Sequence, residues 1–174
     1  MKTKNDSLEI LIRLAEDAIY DGDCIQAERL LKSGLLEEPG YARLHYTLGW
    51  MYNYHLEDNS KAENHYLWAI YFDPLYEDAY RELAFLYFDN REYKALKALM
   101  NKLIKKDAPG KVNAYNMLGK VAEAEAEFSI ALKYYRKALM DCLNNDFSVE
   151  LKQNIKRIKF KRFKTRFKRW QQTD

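Results

Sequence analysis

The sequence predicts an all-α fold, a solenoid of about four helical hairpins closed by a C-terminal helix. Three observations carry that expectation. The chain has 174 residues but only 6 Gly and 3 Pro, with 48% hydrophobic and 14% aromatic residues, a composition that suits packed helices better than a many-turned β fold. The three prolines, Pro39, Pro74 and Pro109, are spaced by 35 and 35. Leu-small pairs keep the same beat at Leu14-Ala15, Leu48-Gly49, Leu83-Ala84 and Leu118-Gly119. A fixed period of this length is the signature of a repeat array.

Each copy reads as helix, turn, helix. In "LHYTLGWMYNY" apolar residues recur at three- and four-residue steps, the helical period. The small residue after each leucine lets a second helix cross closely, and Ala27, Ala62, Ala95 and Ala131 supply the counterpart on that helix. Four residues later a bulky side chain, Leu31, Tyr66, Leu99 or Tyr135, fills the space beside the crossing. Turn residues fall between the helices at "DGD", "LEDNS" and "DNRE", and each proline stops a second helix. The copies run about 8–41, 42–76, 77–111 and 112–145, followed by a capping helix at 146–158 and an extension at 159–174. Asp146 is the expected N-cap of that last helix.

These residues resemble the tetratricopeptide repeat, a hairpin of about 34 residues with a W-x₂-L-G-x₂-Y…A-x₃-F…P pattern. Copy two carries it most fully, in Leu48, Gly49, Tyr52, Ala62, Tyr66, Ala69 and Pro74. Copy four carries Leu118, Gly119, Ala131, Tyr135 and Ala138 without a final proline, and His45 replaces the family's leading aromatic. The resemblance implies a right-handed α-solenoid whose first helices line a concave groove, and a role as a protein-interaction adaptor or scaffold. On that implied face a second stripe reads Ile12, Glu16, Ile19 and Tyr20 in copy one, and it continues as Tyr46, Trp50, Asn53 and Tyr54 in copy two, Arg81, Phe85 and Phe88 in copy three, and Asn116 and Lys120 in copy four. Trp, Tyr and Arg dominate interface energetics, so these are the expected partner-binding residues. The carboxylate clamp of some tetratricopeptide proteins is not expected, because Ile12 and Glu16 stand where that clamp wants Lys and Asn.

No catalytic constellation is legible. His45, His55 and His65 are ten residues apart, a spacing that fits no zinc motif, and no glycine-rich phosphate loop can be written. Cys24 and Cys142 read as reduced structural thiols. The expectation is therefore a protein that is not an enzyme and carries no cofactor or metal. "MKTKNDSLEILIRL" lacks the apolar run of a signal peptide, and the cytoplasm is the simplest address.

Charge is unevenly spread. Residues 147–174 carry ten Lys/Arg against two Asp/Glu, so the net +3 conceals a basic tail on an acidic body. In "IKRIKFKRFKTRFKRW" the face of Phe147, Leu151, Ile155 and Ile158 suits capping, whereas Phe160, Phe163, Phe167 and Trp170 form a second stripe. Arg162, Arg166 and Arg169 lie on the opposite arc of that extension. Docking on protein, including homo-oligomerisation through the C-terminal helix, is preferred. An anionic membrane surface or nucleic acid is the alternative partner of the same segment.

Overall fold

A computed structural model describes residues 4–106 and 110–171, and among them there are nine helices and no strand. The helices are α1 (Lys4–Tyr20), α2 (Cys24–Glu37), α3 (Ala42–Tyr54), α4 (Asn59–Phe72), α5 (Glu77–Asp89), α6 (Tyr93–Lys105), α7 (Lys111–Ala124), α8 (Phe128–Asp141) and α9 (Asn145–Gln171). The chain divides into two compact units, Met1–Leu86 and Tyr87–Asp174. Among the described residues no helix is long and apolar enough to cross a membrane.

In the first unit α1 packs on α2 and α3 packs on α4, with α3 also resting on α1 and α2. The crossing of α3 and α4 depends on Gly49, because a Cβ there would lie 2.8 Å from the ring of fully buried Tyr66. His45, Leu48 and Tyr52 are buried beside it. Leu14 departs from the repeat pattern by being exposed. The face of α3 that carries buried Leu44, Leu48 and Met51 corresponds in α1 to the face of Leu14. Copy one is held instead by Leu8, Ile12, Ala15 and Ile19.

In the second unit α7 packs on both α6 and α8, and α8 on α9. The α7–α8 crossing repeats the first one: a Cβ at Gly119 would meet the ring of buried Tyr135 at 2.7 Å. Leu151 and Ile158 of α9 are fully buried and join Tyr115, Ala122, Leu132 and Tyr135 in one core.

Each hairpin turn places one residue in the left-handed region: Gly22, Glu57, Arg91 and Ala126, at φ 84, 52, 60 and 59°. In three turns the next amide reaches back five residues to close the first helix, as Glu127 N to Ala122 O at 2.8 Å. Copy two reaches back six, Asp58 N to Tyr52 O at 2.9 Å, which accommodates its longer turn. Asp23 and Asp58 then cap α2 and α4 by accepting from the amides of Gln26 and Lys61. Pro39 and Pro74 stand two residues beyond the ends of α2 and α4, whereas Pro109 lies outside the described residues.

The last helix starts earlier than its sequence suggests. Asn144 is its cap, its Oδ1 accepting from Phe147 N at 2.9 Å, and Asp146 sits inside the first turn, where its charge favours the helix dipole. The helix then runs without a break through Ile158 to Gln171, so cap and extension are one rod of about 40 Å at 1.5 Å per residue.

Candidate functional site

The first unit presents aromatic side chains along α1, α3 and α5. Trp50 is half-buried, with the Tyr20 ring 6.3 Å away on α1, Tyr54 at 6.0 Å and His55 at 4.9 Å. Tyr46, one turn before Trp50, lies 5.3 Å from Tyr76 and 6.2 Å from Tyr66. Glu16, Tyr20, Tyr46, Thr47 and Trp50 line a pocket of about 130 Å³. That is close to the roughly 150 Å³ apolar cavity that accommodates benzene, so it fits one aromatic ring.

Charged groups border the rings. Arg81 pairs with Asp78 at 2.7 Å and with Glu82 at 3.3 Å, and the Tyr54 hydroxyl donates to Glu82 at 2.7 Å. These contacts satisfy a carboxylate whose residue is only 8% exposed. Arg43 bridges Glu9 and Glu16, tying α3 to α1 at the other side. Burial, with Glu82 and Asp78 nearby, pushes the Tyr46 phenol up, so it stays a neutral hydrogen-bonding group.

Of the stripe expected from the sequence, Tyr46, Trp50, Asn53 and Arg81 are half-buried, and Tyr54 and Phe85 are exposed. Phe88 and Lys120 belong to the second unit and are also half-buried. Asn116 is buried at 5% exposure, which removes it from an accessible face. Glu16 and Tyr20, the copy-one members of the expected stripe, join the pocket, as does Thr47, which lay outside that stripe, whereas Ile12 and Ile19 are buried.

A second aromatic surface had no counterpart in that reading. Trp68, Tyr71 and Phe72 on α4 are exposed, with rings 5.1 to 5.8 Å apart. His45 stacks on Phe72 at 5.4 Å and meets His65, Nδ1 to Nδ1, at 3.2 Å. Its Nε2 donates to Pro39 O at 3.0 Å, which leaves Nδ1 to accept from His65. Burial, then the neighbouring His45 and Lys32, lowers His65 to about 4. The pair is thus a neutral packing element. Among the described residues no group of three His, Cys, Asp or Glu could hold a metal, and Cys24 and Cys142 are free.

In the second unit the organising charge is Glu123 of α7. It accepts from Arg157 at 2.7 and 3.0 Å, from Lys161 at 2.7 Å and from the Tyr135 hydroxyl at 3.0 Å. Burial alone would raise its carboxyl, but those hydrogen bonds and the Arg157 charge bring it down to about 2. Beyond this clamp Phe160, Phe163 and Phe167 of α9 are exposed, with Phe163 stacked on Phe167 at 6.2 Å and Lys164 over the Phe160 ring at 4.6 Å. Arg162 is exposed as well. The side chains of Arg166, Arg169 and Trp170 lie outside the described residues.

No family model matches the chain, and no curated protein matches it in sequence. Solved structures do. A crystal structure of MamA superposes with a TM-score of 0.64 at 27% identity, covering 76% of this chain and 77% of that one. PilF of Pseudomonas aeruginosa gives a TM-score of 0.75 over 94% of this chain and 72% of its own, at 16% identity. The fold is a tetratricopeptide-like helical array. PilW, a widely conserved type IV pilus biogenesis factor, adds a TM-score of 0.60 over 77% of this chain and 61% of its own, at 20% identity. At 16 and 20% identity the last two bear on the fold alone.

Proposed function

We propose that this chain is a non-enzymatic adaptor that holds a peptide or helical segment of a protein partner against α1, α3 and α5 of its first unit. The observation that carries the reading is the pocket beside Trp50, a ring-sized recess walled by Tyr20 and Tyr46 and bordered by Glu16. Aromatic side chains with one exposed edge and a charged border are what interface hot spots are made of. Tyr46, Trp50, Asn53, Tyr54, Arg81 and Phe85 are the residues assigned to contact. The similarity to MamA and to helical-repeat arrays supports the reading, since stacked hairpins offer extended binding surfaces.

A displayed random-peptide library panned on the native chain, with counter-selection on Trp50→Ala, tests this. Selected peptides carrying apolar anchors should bind the native chain and lose about 2 kcal/mol, roughly thirtyfold in affinity, on Trp50→Ala. Circular dichroism of the variant should match the parent. Peptides indifferent to Trp50, or a variant that unfolds, would show that these rings are core.

A further inference from the structure

The two units carry opposite charge. Residues 1–86 hold eight Lys/Arg against sixteen Asp/Glu, a net −8, and residues 87–174 hold twenty-one against ten, a net +11. The surplus of the second unit is concentrated on α9, where the exposed rings also lie. The acidic unit is the one with the ring-sized pocket and the aromatic face. Charge and apolar character are therefore complementary twice over, within one sequence.

We propose that the occupant of the groove is the basic-aromatic half of α9 from a second copy of this chain, giving head-to-tail association. This rests on the groove reading above and names its partner. Three features favour it. The extension is already helical, so little ordering entropy opposes its docking: Leu151 and Ile158 anchor its base, and Arg157 and Lys161 grip Glu123. From Lys159 to Gln171 it projects about 20 Å of helix at 1.5 Å per residue, enough to lie along a pair of groove helices. Phe160, Phe163 and Phe167 follow the i, i+3, i+7 spacing by which an amphipathic helix sets anchors in a groove. One of those rings fills the recess beside Trp50 while Arg162 and Lys164 face the acidic unit.

A head-to-tail contact is heterologous, so its two halves are separable by mutation and an uninterrupted one continues to higher oligomers. The test uses three full-length chains: the parent, Trp50→Ala, and the double substitution Phe160→Ser with Phe163→Ser at two exposed positions. Sedimentation and light scattering report mass against concentration and salt. The parent should gain mass with concentration in low salt and return to monomer as salt screens the charges. Each variant alone should need at least about tenfold more protein to associate, a change of about 1.4 kcal/mol. The two variants mixed should form dimer and nothing larger, because one retains a groove and the other a tail.

A parent monomeric at every concentration in low salt overturns the proposal, as does a mixture that yields no dimer or variants that assemble like the parent. Salt-sensitive capture of the monomeric parent on vesicles of anionic phospholipid, or on DNA, would assign α9 to that polyanion and also overturn it. The groove reading falls separately: a monomeric parent that still captures peptides through Trp50 removes only the self-association. If Trp50→Ala changes neither mass nor peptide capture, both are wrong.

Discussion

Replacing Gly49 with leucine tests the packing on which the first unit is built. A Cβ at this position would sit 2.8 Å from two carbons of the Tyr66 ring. Ordinary carbon contacts lie near 3.5–4.0 Å, so the first added atom alone overlaps by roughly 0.7 Å. Three more carbons follow it into the same space. Tyr66 has no exposed surface and cannot swing out, so α3 and α4 must separate. Overpacking of this kind costs about 1–3 kcal/mol or more, offset by less than about 1 kcal/mol from the better helix propensity of leucine. Urea unfolding should show a lower midpoint at an unchanged slope, and melting should fall by about 2–4 °C per kcal/mol. Adding Tyr66→Ala to Gly49→Leu should recover part of the loss, because the cavity accepts the new side chain. A Gly49→Leu protein that unfolds with its parent, or a double variant whose effects simply add, would refute the assigned crossing.

Other outcomes follow from the same contacts. Arg81→Ala should weaken peptide capture while leaving helicity intact, as read by titration calorimetry and circular dichroism. Glu123→Gln should cost about 1–3 kcal/mol and speed amide exchange along α9, since the carboxylate accepts from Arg157, Lys161 and Tyr135. Ala126→Gly should stabilise by about 0.5–1 kcal/mol in urea, because alanine at φ 59° carries left-handed strain that glycine lacks. Acid should act on the first unit through His65, whose folded value near 4 lies below the ordinary 6.5. The unfolded imidazole takes up its proton first, so stability present above pH 6.5 is lost progressively toward pH 4, by about 2–3 kcal/mol. His65→Gln should flatten that slope.

The hairpins were legible because their signals are periodic and short-range. Gly49 and Gly119, with Tyr66 and Tyr135 four residues past an alanine, are read off the spacing before any contact is known. What escaped was set by neighbours that spacing does not name. Leu14 matches Leu48 in sequence, yet Leu48 is fully buried and Leu14 is exposed. His45 and His65 lie twenty residues apart and meet only because α3 and α4 cross at Gly49. Trp68, Tyr71 and Phe72 sit in "YLWAIYF", a helix apolar on every side, where periodicity cannot separate core from surface. The shift of apolar stripe at Phe160 reads as a boundary, yet the backbone of α9 continues through it. Asn144 and Asp146 are equally good cap residues, and only the geometry chooses between them.

The reading of the first unit as a binding module is tested most directly by mapping where a selected peptide lands. Backbone amide shifts of the isotopically labelled chain, followed while that peptide is titrated in, supply the map. The account predicts that the changes cluster on Tyr20, Tyr46, Trp50, Tyr54 and Arg81, along α1, α3 and α5. Changes centred instead on Trp68, Tyr71 and Phe72 of α4, with the Trp50 face silent, would contradict it.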